Sequence, residues 1–137
     1  MKATAAGILA AVLLAAGCGG SAGTATREAV VETIAPAAAA DLLGAPPAGL
    51  VVLDVRTPEE FASGHLEGAV NLDFRAATFA EDLAVLDRDV PYLLYCRSGN
   101  RSASARDMMA SLEFSEIHEI AGGIDAWLAA GLPVEMP

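Results

Sequence analysis

From about residue 34 onward, the hydrophobic positions of this chain form short apolar runs that alternate with amphipathic segments. Apolar runs of about four to eight residues are typical of strands buried on both faces. Apolar residues spaced three and four positions apart are typical of helices that cover a sheet. The pattern predicts strands at 50–55, 69–72, 90–95 and 117–120, and helices at 37–43, 57–61, 79–86, 102–112 and 124–130. This alternation predicts one α/β domain over residues 34–137, with a mainly parallel central sheet and helices on both faces.

Individual residues sharpen some of these elements. Thr57 followed by Pro58 and Glu60 indicates a helix start, because the Thr side chain can cap the first turn and the Glu can complete a capping box. In the last predicted strand, Ile117 and Ile120 flank two polar residues. We read this strand as alternating and expect both isoleucines to face the core.

The N-terminal segment 1–17 has the features of a secretory signal. One cation, Lys2, precedes a nearly unbroken apolar run that ends in small residues. The run is shorter than the roughly 20 apolar residues that a membrane-spanning helix needs. It also lacks the polar face of an amphipathic helix packed on a protein core. The segment is therefore predicted to be a signal peptide for export.

A cysteine follows this segment directly. Residues 14–18, Leu-Ala-Ala-Gly-Cys, resemble the lipobox of bacterial lipoproteins, although Leu14 lies one position further from the cysteine than is usual. The resemblance implies that Cys18 is lipid-modified and holds the exported protein on the membrane, facing outside the cytoplasm. Residues 18–33 are then a flexible tether between the anchor and the domain, Gly/Ser-rich at 19–24. The alternative is cleavage to a soluble secreted or periplasmic protein.

The chain has only one other cysteine, Cys96. Two cysteines in an exported protein would ordinarily suggest a disulfide. If the sulfur of Cys18 carries lipid, however, Cys96 is left as an unpaired thiol outside the cytoplasm. We favour this second interpretation, because an unpaired thiol in an oxidising compartment is a liability unless its reactivity is used.

The charge of the chain is strongly acidic overall and locally basic near Cys96. The formal net charge is −10. An acidic chain without a basic stripe is a poor candidate for nucleic-acid binding, so we expect no nucleic-acid partner. Three of the seven arginines, Arg97, Arg101 and Arg106, nevertheless lie in or just after the segment that begins at Cys96. We expect a small anionic substrate to bind there.

Cys96 stands between a predicted strand and a predicted helix. The backbone N–H groups of residues 97–101 can curl around its sulfur, and the helix that starts near Arg101 directs the positive end of its dipole toward it. Gly99 and Asn100 tolerate the left-handed conformations that such a tight loop requires. This arrangement favours the thiolate over the thiol, and a thiolate is a nucleophile. Asp54 and Cys96 both lie at the carboxyl ends of predicted strands, where open α/β sheets bind ligands, so we expect them to share one rim of the sheet.

No metal site and no cofactor are predicted. The two cysteines are far apart, and His65 and His118 are isolated, so no zinc-ligand spacing exists. A dyad of Cys96 with His65 is conceivable. We favour a supporting role for His65, because a single histidine in a glycine-flanked turn more often holds loop geometry through hydrogen bonds.

Four separated motifs resemble those of the rhodanese family, whose sulfurtransferase domains carry sulfane sulfur as a cysteine persulfide. They are Asp-Val-Arg-Thr-Pro-Glu-Glu-Phe at 54–61, Gly-His-Leu-Glu-Gly-Ala-Val-Asn at 64–71, Cys-Arg-Ser-Gly-Asn-Arg-Ser at 96–102, and Ala-Gly-Gly-Ile-Asp-Ala-Trp at 121–127 followed by Gly-Leu-Pro-Val at 131–134. They occur in order and at family-like spacing, and the resemblance covers residues 34–137, about three quarters of the chain. The resemblance implies a single rhodanese-like domain.

The resemblance also implies a role for each matched residue. Cys96 accepts sulfur from a donor such as thiosulfate, and the persulfide passes it to a thiol or to cyanide. The implied substrate-binding residues are Arg97, Ser98, Gly99, Asn100 and Arg101, of which Arg101 orients the anionic donor. Asp54 and Arg56 are implied to brace the loop through hydrogen bonds. Residues implied to pack the end of the domain are Gly122, Gly123 and Trp127.

Two other functions remain open on the sequence. A cysteine-dependent phosphatase or arsenate reductase uses the same thiolate chemistry, but its cradle needs five residues between Cys and Arg. Here four residues separate Cys96 from Arg101, and a smaller ring suits a persulfide better than a phosphoryl group. The second alternative is a membrane-tethered sulfur carrier or binding module with little turnover of its own.

Overall fold

The computed structural model describes residues 27–137, so the predicted signal segment and Cys18 lie outside the described residues. The strands are β1 (Val30–Ile34), β2 (Val51–Asp54), β3 (Val70–Asn71), β4 (Pro91–Tyr95) and β5 (Glu116–Ile120). The helices are α1 (Pro36–Gly44), α2 (Pro58–Ala62), α3 (Phe79–Ala84), α4 (Asn100–Ser111) and α5 (Gly123–Ala129). The strands form one sheet in the order β1-β5-β4-β2-β3, and every neighbouring pair is parallel. The predicted α/β class with a parallel sheet is confirmed.

The apolar side chains pack into two cores, one on each face of the sheet. Successive side chains of a strand point to opposite faces, so the neighbours Leu93 and Leu94 belong to different cores. The α3–α4 core contains Leu94 together with Leu83 and Met109 of the helices that cover it. The α1–α5 core contains Leu93 together with Trp127. Helices therefore cover both faces, as predicted.

Strand β5 differs from its prediction. Ile117 and Ile120 are both buried, but Ile117 belongs to the α3–α4 core and Ile120 to the α1–α5 core. Residues three positions apart on a strand face opposite sides, so the strand has no single inward face. His118 and Glu119 between them are also buried, with 8% and 3% exposure. The reason is that β5 lies between β1 and β4 and is covered on both faces.

The predicted tether at 18–33 is wrong at its C-terminal end. Residues 30–33 belong to β1, which pairs in parallel with β5 from Val30 to Ile34. The backbone N–H of Val30 also donates to the carbonyl of Ser115 at 2.9 Å. The apolar pattern did not reveal this strand because it lies at the edge of the sheet and most of its residues are exposed.

Two helices differ from their predicted bounds by two residues at one end. Helix α3 ends at Ala84, and Leu86 packs against the α3–α4 core from beyond the helix. Helix α4 begins at Asn100, immediately after Gly99, whose φ of +105° is accessible mainly to glycine. Among the helices within residues 27–137, none has both the length and the apolar character that crossing a membrane requires.

Candidate active site

The site lies at the edge of the sheet where the parallel strands end. Strands β2 and β4 are neighbours, and Asp54 pairs in register with Tyr95. The next residue after Tyr95 is Cys96, so the carboxylate of β2 and the thiol after β4 reach the same edge. Ligands of open α/β sheets bind at this edge. The sequence prediction that Asp54 and Cys96 share one rim is confirmed.

Cys96 is buried, with 1% exposure, at the start of a short loop to α4. The backbone N–H of Gly99 donates to its Sγ at 3.1 Å. The first turn of the twelve-residue helix α4 follows directly. A hydrogen bond from the backbone and the positive end of a helix dipole both stabilise negative charge on a sulfur. In the same loop, Arg97, Ser98 and Asn100 are exposed to solvent.

Helix α5 packs its first turn against the backbone of this loop. The N–H of Ile124 donates to the carbonyl of Cys96 at 2.9 Å, and the N–H of Asp125 donates to that of Arg97 at 3.0 Å. A Cβ on Gly123 would lie 2.4 Å from the Cys96 oxygen, and Gly123 has a φ of +60°. The close approach of the Cys96 oxygen and the positive φ both require glycine at position 123. The sequence resemblance implied only packing for Gly123, because its partner, the Cys96 carbonyl, is distant along the chain.

Asp54 and Arg56 form a buried ion pair beside the loop. Nε and Nη2 of Arg56 donate to the Asp54 carboxylate at 2.7 to 3.0 Å, and Nη2 also donates to the Gly64 carbonyl at 2.7 Å. Burial acts to lower the pKa of Arg56, but the bonds to Asp54 outweigh it and the pKa is raised. The pair thus ties β2 to the segment around Gly64. The resemblance implied a brace on the Cys96 loop itself, whereas these bonds reach the segment opposite it.

Glu60 is a partner of Arg101 as well as part of the helix cap that the sequence predicts. The predicted capping box is present, since Thr57 Oγ1 accepts from the Glu60 N–H at 3.3 Å and Glu60 Oε2 accepts from the Thr57 N–H at 3.0 Å. The same carboxylate accepts two bonds from Arg101, from Nη1 at 2.7 Å and from Nη2 at 2.8 Å. This bidentate pair ties α2 to α4.

The Glu60–Arg101 pair stabilises the charged form of both groups. The hydrogen bonds from Arg101 lower the pKa of Glu60 to about 2. The bonds to Glu60 raise the pKa of Arg101, and the negative charge of Cys96 adds to that increase. Arg101 therefore lies close enough to feel charge on the sulfur, but its two terminal nitrogens already donate to Glu60. The expectation that Arg101 orients an anionic donor remains a prediction.

His65 lies in the segment between α2 and β3 and contacts α2 and the C-terminal segment. Its ring stacks on Phe61 with the ring centroids 3.9 Å apart, and Nδ1 lies 3.1 Å from the Phe61 carbonyl. Its backbone exchanges two hydrogen bonds with Glu135, at 3.0 and 2.7 Å. These contacts fit the supporting role that we favoured over a Cys–His dyad.

A cavity of about 280 Å³ opens beside the Cys96 loop. Its walls come from the α2 side and from the α5 side, and the residues that line it are Arg56, Glu60, Ser63, Gly64, Arg97, Ile124, Asp125, Leu128 and Val134. Arg97 is 68% exposed and lies 3.6 Å from the Asp125 carboxylate. Within residues 27–137, no group of three or more His, Cys, Asp or Glu side chains could hold a metal ion.

Known proteins similar to this chain include members of the family that the sequence motifs resemble. The family model described as rhodanese-like domain matches residues 35–130. The thiosulfate sulfurtransferase GlpE of Pseudomonas putida is 38% identical to this chain over 81 residues, which are 59% of this chain and 72% of that protein.

Solved structures with the same fold come from several organisms. A rhodanese-related protein from Thermoplasma volcanium has a TM-score of 0.68 and 31% identity, and the match covers 77% of this chain and 99% of that chain. A protein of unknown function from Rhodopseudomonas palustris, described as a possible tyrosine phosphatase, has a TM-score of 0.63 and 26% identity, covering 77% and 85% of the two chains. The match over residues 35–130 settles the relationship: the chain belongs to the rhodanese-like domain family.

Proposed function

We propose that this chain is a rhodanese-type sulfurtransferase with Cys96 as its sulfur-accepting nucleophile. The observation that carries the proposal is the position of Cys96 Sγ, which accepts the Gly99 N–H at 3.1 Å immediately before α4. Membership of the rhodanese-like domain family and the similarity to GlpE, named a thiosulfate sulfurtransferase, support sulfur transfer as the reaction.

The proposed reaction is a double displacement. The Cys96 thiolate attacks the outer sulfur of a donor such as thiosulfate. A new S–S bond forms on Cys96, the donor S–S bond breaks, and sulfite leaves with the bonding electron pair. A thiolate or cyanide then attacks the terminal sulfur of the persulfide. Its bond to that sulfur forms, the S–S bond to Cys96 breaks, and the Cys96 thiolate is restored.

The charged residues around the loop have separate tasks in this proposal. Arg97 is exposed at the mouth of the cavity, where its charge attracts an anionic donor despite the acidic chain. Arg101 is held by Glu60 and adds positive charge near the sulfur. The Gly99 N–H and the dipole of α4 stabilise the thiolate both before attack and after the second displacement.

The test is the intact mass of the protein after treatment with thiosulfate. A sulfurtransferase gains the mass of one sulfur atom on Cys96 and then turns over thiosulfate and cyanide to thiocyanate and sulfite. A carrier module gains the sulfur but shows little turnover with cyanide. Cys96→Ser is expected to lose both signals while keeping its unfolding temperature. Absence of any added sulfur on the wild-type protein would overturn the proposal.

The same preparation tests the phosphatase alternative. Four residues separate Cys96 from Arg101, and Arg101 already donates two hydrogen bonds to Glu60. A tetrahedral phosphate would have to compete with that carboxylate for the arginine. Hydrolysis of an aryl phosphate is therefore expected to stay at the level of Cys96→Ser.

We also propose that the protein is exported and held on a membrane through lipid on Cys18. The support is the sequence of residues 1–18, which lie outside the described residues. Cys18→Ala is expected to move the protein from the membrane fraction to the soluble fraction of the producing cell. If both proteins partition alike, Cys18 is not the anchor.

A further inference from the structure

A buried carboxylate lies behind the Cys96 loop, and the proposed reaction does not use it. Glu119 of β5 is 3% exposed. Its Oε1 accepts from Ser102 Oγ at 2.7 Å, and its Oε2 accepts from Arg106 Nη1 at 2.7 Å and from Thr33 Oγ1 at 3.2 Å. Burying a carboxylate costs free energy unless it is paired with a cation and hydrogen-bonded. Here Arg106 supplies the cation, and Ser102 and Thr33 supply further hydrogen bonds. These bonds hold the Glu119 carboxylate in one orientation.

Ser102 connects this carboxylate to the loop. Its side chain is fully buried in the first turn of α4, and its Oγ lies 3.2 Å from the carbonyl of Gly99 as well as 2.7 Å from Glu119. A hydroxyl has one proton, and the shorter, charge-assisted bond to the carboxylate is the stronger of the two. Glu119 therefore anchors Ser102, and with it the first turn of α4, to β5. Gly99 is the residue whose N–H donates to the Cys96 sulfur.

The position of Glu119 in the sheet explains why it reaches this turn. Glu119 pairs in register with Leu94 of β4, two residues before Cys96. The Leu94 and Cys96 side chains belong to the α3–α4 core, and paired residues of neighbouring strands face the same side. Glu119 thus lies beside Leu94, on the same face of the sheet as Cys96, and α4 covers that face.

The loop has few other side-chain contacts that could hold it in place. Arg97, Ser98 and Asn100 are exposed, and Gly99 has no side chain. We infer that Glu119 is a positioning residue for the Cys96 thiolate, which acts through Ser102 by fixing the first turn of α4 and with it the Gly99 N–H. The inference deepens the proposed function and rests on Cys96 as the reacting sulfur.

Positioning and simple charge make opposite predictions for this carboxylate. If Glu119 positions the loop, loss of its contact disfavours the Cys96 thiolate, whereas loss of a nearby negative charge favours the thiolate. A negative charge close to Cys96 would by itself disfavour the thiolate. Arg106, at 2.7 Å, compensates that charge. Variants that keep the charge but break the contact with Ser102 therefore isolate positioning. Both variants chosen below leave intact the other charged groups around the loop, which are Arg97, Arg101, Glu60, Asp54, Arg56 and Asp125.

The experiment follows alkylation of Cys96 by iodoacetamide as a function of pH in the full-length protein. The Cys96 peptide is quantified by mass spectrometry, so that Cys18 does not contribute. Ser102→Ala removes the hydroxyl, and Glu119→Asp shortens the side chain while keeping its charge. The matched control is Ser104→Ala, which removes an exposed hydroxyl from the same helix.

We expect the pH midpoint of the alkylation profile to rise by about 0.5 to 1 unit in Ser102→Ala and Glu119→Asp. Below the midpoint this is a roughly three- to tenfold slower reaction. Ser104→Ala keeps the wild-type midpoint. Because the two residues act in series, the double variant is expected to shift no further than the larger single shift.

A purely structural role would give a different result. Both variants would then lower the unfolding temperature but keep the wild-type midpoint, and that result would overturn the inference. If Ser102→Ala does not fold, Glu119→Asp alone decides, since its charge is unchanged. Alkylation requires no sulfur donor. A failure of sulfur transfer with shifted midpoints would therefore refute the proposed function and leave the positioning role intact.

Discussion

The Cys96 loop lies between two sides of the molecule that are held by contacts of different kinds. On the α2 side, the contacts are arginine–carboxylate pairs, the buried Asp54–Arg56 pair and the partly exposed Glu60–Arg101 pair. On the α5 side, the backbone of the first helical turn donates directly to the carbonyls of Cys96 and Arg97. The first side depends on charge, whereas the second depends on the space that Gly123 leaves open.

This difference predicts how each side responds to change. A buried ion pair is sensitive to loss of one partner, because the remaining charge has no water around it. A partly exposed pair is weakened by acid and by salt. A backbone contact is insensitive to both but does not tolerate an added side-chain atom. Substitutions on the two sides should therefore separate by magnitude and by their dependence on pH.

The largest effect is expected from Asp54→Asn. Asp54 is fully buried, and its loss of charge leaves the Arg56 guanidinium buried without a counter-ion, with the Gly64 carbonyl and a neutral amide as hydrogen-bond acceptors. Breaking a buried pair in this way costs about 3–5 kcal/mol of unfolding free energy. Urea unfolding measures it. Asp41→Asn, at an exposed position of α1, is the matched control, and equal losses in the two variants would show that the Asp54–Arg56 pair does not stabilise the fold.

On the α5 side, Gly123→Ala is expected to cost about 2–4 kcal/mol. The new Cβ would lie 2.4 Å from the Cys96 oxygen and 2.5 Å from that of Arg97, at a φ of +60°. Overpacking and the left-handed conformation both contribute. Sulfur loading of Cys96 should fall as well, because the loop must move. Gly44→Ala has no atom within 4 Å of the new Cβ and serves as the control. A loss that changes with pH or salt would argue against a steric cause.

The sequence was sufficient to predict part of the α2 side and insufficient for the rest of it. Parallel strands end at one edge, so two apolar runs followed by Asp54 and Cys96 were enough to predict that the two residues share a rim. Glu60 was recognised as a capping residue because that contact is local. Its pairing with Arg101 depends on the sheet order that brings α2 beside α4, and no local pattern encodes this order.

The missed edge strand had a second consequence. Because residues 30–33 were read as a tether, β5 was taken for a strand with one polar face, and Glu119 was assigned no role. Once β1 covers that edge, Glu119 is a buried carboxylate with three donors. The only signal in the sequence was the pair Val30 and Val31, and both side chains are about two-fifths exposed. An exposed edge strand has too weak a pattern to be recognised alone.

The acid sensitivity of the α2 side is expected to come in part from Glu60. Its pKa is lowered from 4.5 to about 2, so the pair stabilises the fold fully above about pH 4.5 and loses this contribution as the pH falls toward 2. For a partly exposed pair the contribution is roughly 1 kcal/mol. Glu60→Gln should therefore be less stable than wild type at neutral pH and approach it in acid. Glu59→Gln, in the same helical turn, is the control, and a difference that does not shrink in acid would contradict the assignment.

The smallest effect on stability is expected from the exposed pair at the mouth of the cavity. Arg97 and Asp125 are 68% and 56% exposed and lie 3.6 Å apart, so Arg97→Ala and Asp125→Ala should each change the unfolding free energy by less than about 0.5 kcal/mol. The two substitutions should change the KM for thiosulfate in opposite directions. Loss of the cation is expected to raise the KM for thiosulfate about two- to fivefold, whereas loss of the anion frees Arg97 and lowers it. Added salt should reduce both differences, because solvent-exposed charges are screened. If the two variants change KM in the same direction, the pair supports the structure of the loop, and the α5 side has no electrostatic part in binding the donor.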